Sequence, residues 1–471
     1  MKRKITPTQL ALFSRSPVVG AWWEELKSQG LFKEQRPDDT ELDKQLFIDG
    51  LRHEEVLIKK LKKQGFQIAE LEGKQNECDY QATKKAMSDG YDFIWQASLT
   101  NEEMRGSADL LRKIPGSSPF GDWSYQPIEC KLSSKTKTTF LVQACAYCDL
   151  LSPLLKKRPN QFELYLGGGK FKEFKTDKFW YWYQLLRKRY RDFQNSFNAN
   201  EIPIDTPGDH GSWSAFIEGR LETSRDLITV AKMRQTQRLK LKEADIHTID
   251  DLAELKDGTK VPGLRMEALN DLKEQAKLQV KPKAPDGKPN YIVKEIINGK
   301  GLTILPKQNQ GDIWFDLEGV QDPVLGNQLE YLIGLCYQNE SDTSPVYKAW
   351  WAHSPSEEKK AFEDWVEWVE DRLGKYPNLR IYHYGSYEKS AIRRLAQQYA
   401  TKESIIDHWL RSELLIDLLP VVTASIVLGE DSYSIKKVEK LYMDNREADV
   451  KTAGDSVVAY RNWSDSGEPK I

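Results

Sequence analysis

The sequence predicts an α/β protein divided into more than one domain, and three observations carry that expectation. At 471 residues the chain is too long for one ordinary hydrophobic core. Hydrophobic residues make up 39% and charged residues 30%, which is enough to fill several cores beneath a polar surface. Helix-period apolar stretches mix with short β-type runs toward both ends, and a Pro- and Lys-rich stretch at 281–289 separates them. No signal-type apolar run follows Met1-Lys-Arg-Lys-Ile-Thr-Pro7, and no run approaches the ~18 apolar residues of a membrane span. A cytoplasmic protein with no membrane association is therefore expected.

The first domain is expected over residues 1–195. Helical periodicity covers 43–64 and the aromatic-basic run 178–193. Strand patterns cover 126–132 and 161–166, the second stopped by Gly167-Gly168-Gly169. Residues 196–280 read as short helices joined by tight turns, and 281–290 as a linker. From 291 to 471, strand runs at 312–318, 330–337, 345–351 and 379–384 alternate with a helix at 356–373. No repeat at a solenoid period is visible.

Net charge is −2, so the chain lacks the global basic excess typical of a phosphate-reading protein, although local basic segments can coexist with that total. Five cysteines are present: Cys78, Cys130, Cys145, Cys148 and Cys336. Only Cys145 and Cys148 form a C-x-x-C pair, with no second pair to complete a zinc site, and buried reduced thiols are the plainer expectation.

Residues 126–132 read Gln-Pro-Ile-Glu-Cys-Lys-Leu. Alternation puts Ile128, Cys130 and Leu132 on one strand face and Glu129 and Lys131 on the other. A carboxylate that can hold a metal and an ammonium beside it can hydrolyse a phosphodiester together. Alone, such an E-x-K is an ordinary ion pair in most proteins. Here it has company. Gly106-Ser-Ala-Asp-Leu-Leu111 places Asp109 among small and apolar residues, and Gly50-Leu-Arg-His-Glu-Glu55 offers His53 on an amphipathic helix. Gln143 and Tyr147 stand one helical turn apart downstream.

The ordered set G-x-x-H, G-x-A-D, E-x-K and Q-x-x-x-Y resembles the RecB-type branch of the PD-(D/E)xK nucleases, over about residues 5–195. The resemblance implies a restriction-endonuclease-like fold. It also implies metal ligation of Mg²⁺ or Mn²⁺ by His53, Asp109 and Glu129, a catalytic Lys131, and nucleic-acid contact by Gln143 and Tyr147. Many relatives bind an iron–sulfur cluster through a cysteine just before a proline. Here Ser16 precedes Pro17, and a hydroxyl cannot replace a thiolate, so no iron–sulfur cluster is expected.

The middle segment, from Leu241 through Val261-Pro-Gly-Leu264 to the helix at 266–278, resembles a helix-hairpin-helix module that binds nucleic-acid backbone. A plain helical connector is the equal alternative. Asp245 stands where the first turn usually carries glycine, so a hairpin poorly shaped for phosphate is expected. The run 180–191 mixes aromatics with cations, as single-strand binders do, or else packs an aromatic stripe beneath a basic face.

Asp312-Ile-Trp-Phe-Asp-Leu-Glu-Gly319 puts Asp316 and Glu318 on one face of a hydrophobic strand. This D-x-E, followed by Ile381-Tyr-His-Tyr-Gly-Ser-Tyr-Glu388, resembles RNase H-like 3′–5′ exonucleases in the form seen in YprB-like domains. The resemblance implies a second metal site at Asp316, Glu318 and Glu388, with Asp417 on the element that follows. The family's closing helix with a final Asp is not evident after Ser434, and Asp455 is a weak substitute. The second site is therefore expected to be incomplete, in a shortened chain or a domain that serves as a binding platform. The whole is expected to be a metal-dependent nuclease acting on DNA, single-stranded or end-bearing, or on RNA. Its setting would be repair or recombination. No Walker motif is present, so helicase coupling would need a partner. A non-catalytic nucleic-acid-binding scaffold and an exonuclease centred on Asp316 and Glu318 are the alternatives.

Overall fold

The computed structural model describes residues 3–35, 37, 40–321, 328–339, 344–443 and 453–466. The chain forms two compact units. One holds residues 1–219 with 321–327, the other 220–320 with 328–471. The boundary at 219/220 differs from the expected divisions at 195 and 280.

The first unit opens with α1 (Pro7–Arg15), α2 (Val19–Ser28) and the long α3 (Glu41–Lys63). Both α1 and α3 begin with a threonine capping box, Thr6 with Gln9 and Thr40 with Asp43, which satisfies donors that a bare helix start leaves unpaired. There follow β1 (Ile68–Glu70), α4 (Glu77–Asp89), β2 (Phe93–Thr100), β3 (Arg105–Ser118) and β4 (Gly121–Lys131). Then come α5 (Thr138–Leu155), β5 (Gln161–Leu166), β6 (Lys170–Lys175), α6 (Asp177–Ser196) and α7 (Ser214–Thr223). The six strands form one sheet in sequence order. β2, β3 and β4 are antiparallel, and β4 runs parallel to β5 through the α5 crossover.

That sheet is covered on both faces. Leu57, Ile58 and Leu61 of α3 pack with Leu110, Ile128, Cys130 and Tyr165. On the other side α5 buries Val142, Ala144, Cys145, Ala146, Cys148 and Leu151 in the main core with α1 residues such as Leu10 and Phe13. The alternation of residues 126–131 is thus realised, with Ile128 and Cys130 toward α3. α5 is a correction to the sequence reading. It is apolar and long enough to cross a membrane by length and composition, but it serves as the central helix of this core. Cys145 and Cys148 lie fully buried in it, and burial pushes the Cys145 thiol up to about 12. The aromatic run of α6 packs inward through Tyr183 and Tyr190, while Tyr181 stays exposed. Ser16 is buried, its Oγ 2.6 Å from His210 Nδ1 and accepting from Gly20 N.

The second unit begins with three helices, α8 (Gln235–Lys242), α9 (Ile249–Ala253) and α10 (Met266–Gln279). They share a small core built on Leu227, Leu241, Leu252, Leu269 and Leu272. A buried Arg238 forks onto Asp226 at 2.6 and 2.7 Å beneath them. Asp245 adopts φ +60°, the left-handed conformation glycine would supply, so the turn before α9 keeps its shape despite the substitution.

Next come β7 (Tyr291–Val293), β8 (Ile313–Gln321), β9 (Gln328–Tyr337), β10 (Val346–Trp351), α11 (Pro355–Lys375), β11 (Ile381–His383), α12 (Tyr387–Tyr399) and α13 (Glu403–Arg411). β12 (Leu415–Asp417), α14 (Leu418–Ser425), β13 (Ile426–Leu428), α15 (Ile435–Val438) and α16 (Ala453–Ser466) follow. The sheet order is β10-β9-β8-β11-β12, with β11 parallel to both β8 and β12. Phe315, Leu317 and Ile333 pack on Phe362, Trp365 and Val366 of α11 and Ile392 of α12. β7 and β13 pair separately. The expected linker runs into this body: Gly429 N donates to Asn290 O at 2.8 Å.

Candidate active site

The first candidate site forms where β3 and β4 part. Their ladder runs as far as Leu110 opposite Ile128 and stops there. One step beyond, Asp109 Oδ2 accepts from Cys130 N at 2.7 Å, so a side chain replaces the backbone bond that would have continued the pairing. On the other side of β3 the β2 ladder skips the position of Gln96, which has φ +56°. Both irregularities flank Asp109.

Three carboxylates and one ammonium share this opening. Glu129 is buried, and its Oε1 lies 2.6 Å from Lys131 Nζ. Glu54 of α3 accepts from Trp95 Nε1 at 2.9 Å and Gln96 Nε2 at 2.8 Å. Burial and then the neighbouring Asp109 push Glu54 up to about 7. The same two causes, in the same order, push Glu129 up to about 8. Burial also raises Asp109, with Lys131 and the Cys130 amide pulling the other way. Burial would lower Lys131, but Glu129 and then Asp109 outweigh it and hold the ammonium charged. One lysine faces three acids.

Glu129 Oε2 is buried with no hydrogen-bond partner. An unsatisfied carboxylate oxygen next to a second acid fits a hard divalent cation. Among the described residues no three His, Cys, Asp or Glu groups are closed tightly enough to hold a metal as they stand.

Of the residues singled out in the sequence, Asp109, Glu129 and Lys131 come together. His53 is fully buried with its ring stacked 4.6 Å from Tyr165, and the α3 side chain whose charge reaches Asp109 is its neighbour Glu54. Sequence reasoning passed over Glu54. The signal was its place beside His53, but a helix of this length carries other acids, among them Glu41, Asp43, Asp49 and Glu55, and spacing alone does not choose between them. Gln143 is half-buried on α5. Tyr147 departs from its expected contact with nucleic acid. It is buried, and its hydroxyl donates to Ser107 O at 2.6 Å, bracing α5 against β3. Gly106 lets this happen: a Cβ there would stand 2.8 Å from Pro7 Cδ and 3.2 Å from Tyr147 Cε1.

The second constellation is more open. Asp316 and Glu318 share the face of β8 away from α11 with Trp314. They line a cavity of about 440 Å³ walled by Trp314, Tyr347, Tyr382 and His383. Burial and then Asp316 push Glu318 up to about 7. Glu388 lies beside His383, which lines the same cavity. It is buried with Oε2 3.3 Å from His383 Nδ1, and its charge contributes to the raised pKa of Glu330. Asp417 is spent as a cap, accepting from Gly385 N and Leu419 N. A helix does follow Ser434 in the form of α16. Its Ser456 hydrogen-bonds to Glu318 and lies 2.6 Å from Tyr331 Oη, so the helix that carries Asp455 reaches the D-x-E strand.

Residues 313–471 match the family model described as RNase H superfamily. This part of the chain is RNase H-like. Its strand order, with β8 central and parallel to β11, accords with that match. Such a domain points to nuclease or phosphodiester hydrolase activity and to a divalent metal of the Mg²⁺ or Mn²⁺ kind. No curated protein matches the chain.

Proposed function

We propose that the chain is a metal-dependent nuclease that hydrolyses DNA phosphodiester bonds at the site formed by Glu54, Asp109, Glu129 and Lys131. The observation that carries this reading is the convergence of three acids on a single lysine at the parting of β3 and β4. The surrounding order also supports a RecB-type PD-(D/E)xK domain: a helix, three antiparallel strands, a helical crossover and a parallel strand.

Asp109 and Glu129 are the residues that would hold Mg²⁺ or Mn²⁺, with Glu54 at their edge. When bound, the ion supplies Lewis acidity to a phosphoryl oxygen and lowers the pKa of a water. Lys131 carries a fixed positive charge where negative charge grows on the phosphoryl oxygens. Glu54, pushed by burial and then by Asp109 up to about 7 and with one oxygen held by Trp95 and Gln96, is suited to take up a proton near neutral pH. The substrate class is single-stranded or end-bearing DNA, in repair or recombination.

A second reading, exonuclease action by the RNase H-like unit, draws on the family match and on Asp316 and Glu318 facing a cavity. Purified protein with Mn²⁺ separates the two. Lys131→Ala should reduce DNA degradation by about 10³-fold, while Asp316→Ala should leave most of it. The opposite pattern would transfer the chemistry to the second unit. No cleavage of any DNA or RNA substrate would favour a non-catalytic scaffold.

A further inference from the structure

A small basic pocket lies in the second unit, apart from both carboxylate sites. Its wall carries Lys232, Arg234, Gln237 and Lys294 together with Asp271 and Glu274, around about 260 Å³. Lys232 Nζ and Lys294 Nζ donate to the same backbone oxygen, Thr423 O, at 3.1 and 3.2 Å. That oxygen belongs to the last turn of α14, where one cation is the ordinary way to satisfy an unpaired carbonyl. A second ammonium on the same acceptor adds repulsion between like charges. Among the described residues neither lysine forms an ion pair.

The fold holds this arrangement at some cost. Lys232 has φ +66°, a region that side-chain-bearing residues rarely enter. Its ammonium lies 4.1 Å from the centre of the Tyr433 ring. Tyr433 is itself pinned, donating to Gln275 Oε1 at 2.8 Å and accepting from Leu428 N at 3.1 Å. Water lost around the Lys232 ammonium, and then Lys294 beside it, draw its pKa down to about 8, with Asp271 offsetting part of the effect. An anion between the two lysines would relieve both the repulsion and the lost hydration.

We propose that this pocket seats a phosphate group of the nucleic acid, fixing the strand on the second unit without reading its bases. A phosphate accepts hydrogen bonds from several donors at once, and two ammoniums with a guanidinium on the rim match that. The pocket stands on its own geometry, and only the ligand class rests on the nuclease reading.

Fluorescence anisotropy of a 3′-labelled DNA duplex on the full chain, in EDTA to prevent cleavage, tests this. Lys232→Gln and Lys294→Gln should each weaken binding roughly fivefold at 0.15 M salt and lower the slope of log K against log salt by about 1. Lys294→Arg should keep the wild-type slope, which guards against a folding defect. Tighter binding of a 5′-phosphorylated duplex than a 5′-hydroxyl one, lost in the Gln variants, would assign a terminal phosphate. Equal binding of the two duplexes, with the Gln variants still weakened, would assign an internal one. Unchanged slope and affinity in both Gln variants, with the wild type binding DNA, would overturn the pocket alone. Failure of the wild type to bind any nucleic acid would overturn the nuclease reading and the pocket with it.

Discussion

Around Glu129 two strands part just enough to enclose three acids and a lysine, whereas around Asp316 the sheet face stays open behind aromatic side chains. Both places raise a carboxylate by burial and by a neighbouring acid, Glu129 to about 8 and Glu318 to about 7. Their surroundings differ in kind. The first puts a cation within 2.6 Å of the buried acid and leaves that acid's other oxygen unsatisfied. The second offers Trp314, Tyr347 and Tyr382 along a cavity, with Glu318 hydrogen-bonded by Ser456. A raised carboxylate alone therefore does not identify a hydrolytic centre. The two places differ in charge balance and in enclosure.

The sharpest break of this comparison would come from metal affinity. By calorimetry, Glu129→Gln should weaken Mn²⁺ binding by about 10²-fold and Glu54→Gln by about tenfold, with Glu318→Gln causing the smaller loss. A larger loss from Glu318→Gln would reverse the assignment of the two regions. Next in size is the aromatic wall. Trp314→Ala should weaken binding of a single-stranded oligonucleotide by about tenfold and leave the Lys131-dependent cleavage rate per bound complex unchanged. Unchanged oligonucleotide affinity would remove base stacking from the second unit.

The smallest effect is on stability against pH. Glu54 and Glu129 bind protons more tightly in the folded chain than in the unfolded one. Their contribution is fully present below about pH 4.5 and is lost as pH rises through about 7 and then about 8. The metal-free chain should thus lose thermal stability between pH 6 and pH 8, and Mn²⁺ should raise Tm more at pH 8 than at pH 6. An equal gain at both values would mean these acids are not where the ion binds.

Much of this was readable along the chain because it depends on neighbours in sequence. The two-residue alternation put Glu129 with Lys131, and Asp316 with Glu318, on single strand faces, as the structure has them. The helix over 43–64 and the strand at 161–166 follow from periodicity in the same way. The misses concern longer range. Tyr147 is consumed by Ser107 because α5 lies close over Gly106.

By itself the sequence determined which residues could carry the chemistry and on which faces they lie, because a strand's alternation and a helix's period are properties of the local backbone. Only the tertiary structure decided which of them meet. Glu54 joins Asp109 because Leu57, Ile58 and Leu61 lock α3 onto the sheet in one register, and because β3 and β4 end their pairing at Leu110 and Ile128. That register is fixed by packing between segments far apart along the chain, which no local pattern records.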